Sequence, residues 1–213
     1  CKLIVKHWIK KYNYVPDMIV IEGPEAGGHL GFKREELEED TKPKLENITK
    51  EVVDYINEVE KETGKDIPVI AAGGIWHSTD IKKFLNLGAS GVQMATRFVA
   101  THECDASIEF KKAYVNANEE DVKIINSPVG MPGRAICNSF IKKVEKEKCK
   151  IDKCYNCIKT CNIIDSPYCI TKALINSVKG KTEDGLIFCG SNVSRIKEIV
   201  SVKDLMKELV CEL

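Results

Sequence analysis

DMIVIEGPEAGGHLG, residues 17–31, is the stretch on which the fold turns. It starts as a short apolar run and passes into a turn rich in glycine, with His29 just beyond Gly27 and Gly28. An apolar run this short, bounded by turn residues, reads as a buried strand of a parallel sheet. The pattern recurs twice. Residues 67–72 (IPVIAA) lead into Gly73-Gly74, and residues 91–98 (GVQMATRF) follow Gly88-Ala89. Helices are expected between and after these runs. Over residues 44–63, Leu45, Ile48, Val52, Val53, Ile56 and Val59 fall on one stripe with charges opposite. Residues 79–87 make a short helix, with Ser78 or Thr79 as its cap and Gly88 as its stop, and residues 105–117 make another. Strand, turn and helix repeating at this spacing predict βα units around a parallel sheet. The closed eightfold barrel and the open doubly wound sheet both follow that grammar.

Residues 1–12 carry Leu3, Ile4, Trp8 and Ile9 at helical spacing, which reads as a crossover helix entered partway. The first residue is Cys1 and not methionine, so a piece of a longer protein is expected. Beyond Gly130 a helix is expected over residues 135–147, then a cysteine-rich segment over 149–169. A helix over 167–178 has proline in its first turn, a short apolar run covers 185–189 (GLIFC), and an amphipathic helix over 202–210 closes the chain. The expected division is a barrel part, residues 1–147, and a cysteine-rich helical extension, residues 148–213.

Lys and Arg number 32, as do Asp and Glu, so the formal charge is zero and neither a basic nucleic-acid surface nor an acidic disordered chain is indicated. No apolar run approaches the roughly 18 residues that would span a bilayer. The amino end mixes Lys2, Lys6, His7, Lys10 and Lys11 with its apolar residues, unlike a secretory leader. A cytoplasmic protein is expected, its 10 cysteines serving as thiols, thiolates or metal ligands and not as disulfides.

Active sites of parallel α/β folds lie at the carboxyl ends of strands. His29 projects from such a position, and an imidazole titrating near neutrality can take a proton from a weak carbon acid. A loop histidine with no task is the alternative. Gly73-Gly74 and the turn before Gln93-Met94-Ala95-Thr96 expose backbone amides that suit a phosphate, or else simply make tight turns. Cys154-x2-Cys157-x3-Cys161, with Cys169 or Cys149 as a fourth ligand, has spacing suited to an iron–sulfur cluster or to zinc. The alternative is a lost site or thiols that pack the helix ends.

In order and spacing, EAGGHLG, PVIAAGGI and LGASGVQMATRF resemble the nitronate monooxygenase (2-nitropropane dioxygenase) family, a pattern shared by the flavin-dependent enoyl-ACP reductases. The resemblance covers residues 12–140 best; PVGMPGRAI and GLIFCGSN look like a clostridial-type branch. It implies a (β/α)8 TIM barrel with FMN at its carboxyl face. A complete barrel usually takes about 250 residues, so only the carboxyl-terminal part is expected here. Position by position, His29 matches the catalytic histidine, Gly27 and Gly28 lie in the glycine turn near the flavin, and Gly73-Gly74 matches the seventh-strand end. Gln93, Met94, Ala95 and Thr96 match the phosphate-binding stretch. Glu22 stands where many members carry a flavin-contacting glutamine, and Ala95 where the motif has glycine.

Three functional readings stand. The first is an FMN-dependent oxidation of alkyl nitronates with His29 as base. The second is an NAD(P)H-dependent enoyl thioester reductase on the same scaffold. The third is an inactive or split barrel. The expected partners are a small-molecule substrate, a second copy of the chain in a homodimer, and an amino-terminal half of the barrel.

Overall fold

The computed structural model describes residues 1–38, 42–159, 161–211 and 213. In chain order its elements are α1 (Lys2–Tyr12), β1 (Ile19–Glu22), β2 (Gly28–His29), α2 (Arg34–Glu38), α3 (Leu45–Thr63), β3 (Val69–Ala72), α4 (Ser78–Asn86), β4 (Gly91–Gln93), α5 (Thr96–Val99), α6 (Ile108–Val115), β5 (Val122–Asn126), β6 (Pro132–Ile136), α7 (Ser139–Val144), α8 (Ile170–Val178) and α9 (Val202–Val210). They fall into two compact units. The first comprises Cys1–Pro24, Asp40–Met94 and Met206–Leu213, the second Glu25–Glu39 and Ala95–Leu205. This division differs from one drawn after residue 147.

The first unit holds a three-stranded parallel sheet in the order β1-β3-β4. Its core gathers Val5 of α1, Val52, Val53, Ile56 and Val59 of α3, and Ile21 and Val69 of the sheet. The stripe read in residues 44–63 is the stripe that is buried, with Thr49 and Tyr55 added to it. Helix α1 packs otherwise than its apolar pattern suggests. Val5 is its buried residue and Ile9, one turn on, packs beside the core, while Leu3, Ile4 and Trp8 are exposed. Strand β1 is buried on one face only. Ile21 points into the core and Val20 is 46% exposed, so the fully buried strand read from residues 17–21 is corrected for β1 and holds better for β3, where Val69, Ala71 and Ala72 are buried. Gly88, at φ +94°, ends the α4 turn, and a Cβ there would lie 2.7 Å from Val53 Cγ1. Glycine is required on both counts. The last strand is shorter than residues 91–98: β4 ends at Gln93 and Thr96 opens α5.

The second unit contains a sheet that the periodicity does not announce, antiparallel and in the order β2-β6-β5. Strands β5 and β6 form a hairpin whose turn is closed by Ser127 N–H to Met131 C=O (3.2 Å) and Gly130 N–H to Ser127 C=O (3.0 Å). The helix expected over 135–147 is thereby corrected. Residues 132–136 are a strand paired with β5, and only Ser139–Val144 is helical, with the Asn138 side chain accepting from Ile141 N–H at its start. The backbone of Ala135 and Ile136 is taken up by the ladder with β5 and by the Ile187 carbonyl, so the helix begins only beyond them. Residues 187–189 of the GLIFC run lie alongside β6, with Ile136 N–H to Ile187 C=O at 2.9 Å and Cys189 N–H to Arg134 C=O at 3.2 Å. Helix α6 starts later than residue 105 because Ser107 caps it, its hydroxyl accepting from Phe110 N–H. Helix α8 starts at Ile170, after Cys169 and beyond Pro167. A second core joins Ile125, Ala135, Phe140, Ile141, Ala173 and Leu186.

Candidate active site

In the first unit, the sheet register fixes which residues share the carboxyl edge. Glu22 pairs with Ala72, and Ala72 pairs with Gln93, so Glu22, the Gly73-Gly74 turn and Gln93 stand side by side at adjacent strand ends. Gly73 and Gly74 have φ values of +96° and +78°. Two successive residues in that region turn the backbone sharply, a conformation in which a side chain is strained, and such turns can form anion-binding concavities. Glu22 is raised above the usual carboxylate range by partial burial. Gln93 is exposed and Met94 half-buried. The amino end of α4 is already satisfied. Asp80 accepts from Trp76 N–H (2.9 Å) and His77 N–H (3.0 Å), so neither Ser78 nor Thr79 is its cap and those amides serve the helix. His77 is exposed and meets Glu208 at 3.5 Å; Trp76 is buried.

In the second unit, His29 ends the short strand β2 and pairs across to Gly133 of β6, while Gly28 pairs with Arg134. The ladder thus presents the imidazole on a hairpin and not on a free loop. Its Nε2 lies 2.7 Å from Ser127 Oγ, and its ring meets Phe188 edge-on with centroids 4.9 Å apart. Phe188 is pinned in turn, its carbonyl accepting from the Tyr114 hydroxyl. Ser127 is buried, and its Oγ also accepts from Val129 N–H at 3.4 Å. Desolvation holds the imidazole below its ordinary pKa, which favours the neutral, basic form.

The glycine turn before His29 is held by close packing. A Cβ on Gly27 would lie 2.5–2.7 Å from the Cys189 and Gly190 backbone. Arg134 is not a surface residue: it is 6% exposed, and its Nη1 donates to the Ala26 carbonyl, tying β6 to the same turn. Burial pulls its guanidinium below the usual value, with Glu25 opposing. Ala95 is exposed, and Thr96 Oγ1 accepts from Gly190 N–H at 2.9 Å. Ser127 and Phe188 are the functional candidates that the sequence did not single out. Each reaches His29 only through long-range pairing.

Of the cysteines, Cys154, Cys157 and Cys161 are exposed, and Cys149 and Cys169 are half-buried. Among the described residues, no three His, Cys, Asp or Glu side chains are already gathered as for a metal ion. No helix among them is long and apolar enough to cross a membrane.

Parallel βα units with glycine-bearing strand tips define an α/β protein. The family is shown by the nitronate monooxygenase family model, which matches residues 2–212; the chain belongs to that family. It is similar to a probable nitronate monooxygenase of Staphylococcus saprophyticus, 37% identical over 132 residues, covering 61% of this chain and 34% of that protein. A probable nitronate monooxygenase of Bacillus subtilis is 28% identical over 200 residues, covering 92% of this chain and 51% of that one. Among solved structures, FabK from Thermotoga maritima is 26% identical with a TM-score of 0.68, covering 92% of this chain and 54% of that one. Nitroalkane oxidase from Streptomyces ansochromogenes is 22% identical with a TM-score of 0.63, covering 92% and 51%. At that identity the likeness speaks for the fold alone. The chain spans about a third to a half of the length of these relatives.

Proposed function

We propose that this chain serves an FMN-dependent oxidoreductase of the nitronate-oxidising type, with His29 as the base. The observation that carries the reading is the setting of His29, a desolvated imidazole whose Nε2 is fixed 2.7 Å from a buried serine. With Nε2–H donating to Ser127 Oγ, the Nδ1 lone pair is left as proton acceptor. A neutral imidazole so oriented takes the proton alpha to a nitro group, or holds a substrate that already is the nitronate anion. Ser127 and the Phe188 edge keep the ring from turning, so the lone pair stays aimed without reorganisation.

The strand-end edge of the first unit fits a flavin mononucleotide. The groups at that edge are the backbone of Gly73 and Gly74, held at positive φ, beside the side chains of Glu22 and Gln93 and the backbone of Met94. When bound, the flavin supplies the two-electron redox chemistry, while the protein supplies position and electrostatics. The eightfold barrel implied by the resemblance is the frame in which such an edge is normally used.

A second reading is favoured by the FabK likeness and by Glu22, a carboxylate as in the enoyl reductases. There His29 protonates or orients an unsaturated thioester while NAD(P)H is consumed. Oxygen uptake with propyl nitronate, measured beside NADH consumption with crotonyl thioesters, separates the two. Nitronate-dependent oxygen uptake is expected. Turnover of the thioester alone overturns the first reading in favour of the second, and a chain that retains no FMN and turns over neither substrate overturns both.

A further inference from the structure

The second unit has a cavity of about 210 Å³ that the flavin reading does not use. Cys154, Cys157, Cys161 and Cys169 all line it, together with Tyr168. None of the four is in a disulfide. The four thiols line one cavity although the described residues from Lys150 to Cys169 form neither helix nor strand. Backbone bonds to this stretch include Cys149 N–H to Pro167 C=O (2.8 Å) and Cys161 N–H to Ile158 C=O (3.2 Å).

Three further observations bear on what the cavity takes. Tyr168 is 3% exposed, and among the described residues its hydroxyl has no hydrogen-bond partner. A buried donor left unmade costs about 1–3 kcal/mol, so a hydroxyl in this setting implies an acceptor. Cys169 is the N-cap residue of the nine-residue helix α8, whose amino end favours negative charge. Finally, Lys159 lines the same cavity. Positive charge close by suits an anionic centre.

The spacing decides the class of ligand. Structural zinc sites with four cysteines commonly draw two pairs from two separate turns. Here Cys154-x2-Cys157-x3-Cys161 places three thiols on a single loop, the arrangement that wraps an iron–sulfur cluster, with the fourth thiol supplied from outside the loop. A cavity of about 210 Å³ is also far roomier than one zinc ion at its usual bond length of about 2.3 Å needs. We propose that Cys154, Cys157, Cys161 and Cys169 bind an iron–sulfur cluster in this cavity, with the Tyr168 hydroxyl as a hydrogen-bond donor to its sulfur. Among the described residues the four thiols line the cavity without lying at ligand spacing, as where metal binding and folding are coupled.

The test is iron and acid-labile sulfide analysis, with absorption and electron paramagnetic resonance spectra, on the full chain purified without oxygen and reconstituted with ferrous iron and sulfide. Iron and sulfide in equal amounts, about two to four of each per chain, are expected. Each of Cys154→Ser, Cys157→Ser, Cys161→Ser and Cys169→Ser is expected to lose most of that iron, while Cys211→Ser and His29→Ala keep it. Circular dichroism confirms that each variant folds, and the readout does not depend on flavin or turnover. Zinc without sulfide, or no retained metal, overturns the proposal. So does iron that survives Cys169→Ser and is lost in Cys149→Ser, because the ligand set would then be wrong.

Discussion

At the residue scale, the proposed base His29 has an environment that makes its pH behaviour predictable. Desolvation lowers its pKa in the fold. The neutral base therefore persists to lower pH than a free imidazole, and the acid limb of kcat/KM for a neutral carbon acid is expected to fall below about 6.5. The same shift acts on stability with a definite sign. The unfolded chain takes up the proton more readily, so stability contributed by neutral His29 is present above about 6.5 and is lost as pH falls towards the folded value. Replacing His29 by alanine is expected to cut proton abstraction by roughly 10²–10⁴-fold while flavin content is unchanged; normal turnover in single-turnover absorbance traces removes His29 from the mechanism. Ser127→Ala removes one hydrogen bond worth about 0.5–1.5 kcal/mol, an expected loss of roughly 2–12-fold in kcat/KM. An unchanged kcat/KM would mean that Ser127 merely fills space. His29 stands out as a candidate in the sequence because it follows a glycine turn at a strand end. Ser127 does not, because it lies 98 positions away in SPVG, where one serine forms no local pattern.

At the scale of elements, the parallel strands and α3 were legible because their apolar residues are local and periodic. The antiparallel hairpin was hidden for the opposite reason. Strand β6 reads PGRAI, with a proline, a glycine and a buried arginine where alternation would be sought, and its stability comes from pairing with β5, β2 and residues 187–189. Helix α1 misled because its exposed apolar residues outnumber the buried one. Two glycine variants separate packing from binding. Gly27→Ala drives a methyl into the Cys189–Gly190 backbone and is expected to cost about 1–3 kcal/mol or more, seen as a melting temperature lowered by several degrees. Gly74→Ala forces a side chain into positive φ, at a strain of about 1–2 kcal/mol. Flavin affinity measured by fluorescence titration should fall for Gly74→Ala by more than its melting temperature implies. Equal affinity in both proteins would detach the turn from the cofactor.

For the whole molecule, the edges of the parallel sheet matter most. Among the described residues β1 and β4 each pair with β3 alone, and Met18 and Val20 are exposed beside the β1 edge. Unpaired parallel strands with apolar neighbours invite association. The 213-residue chain is expected to self-associate increasingly with concentration in light scattering, and Met18→Lys with Val20→Lys to reduce this without changing the circular dichroism. A monomer at all concentrations contradicts this. The composition and charge read as those of an ordinary globular protein but held no trace of how the chain divides, because each unit is assembled from separated segments. That assembly has a temporal side. The strand carrying His29 is clamped by Gly133 and Arg134, and its ring by Ser127 and Phe188. A ribosome must make more than a hundred further residues after His29 before those clamps exist. The His29 imidazole is therefore set late in synthesis, and a nascent chain stalled before the hairpin would carry it with nothing to hold it in place.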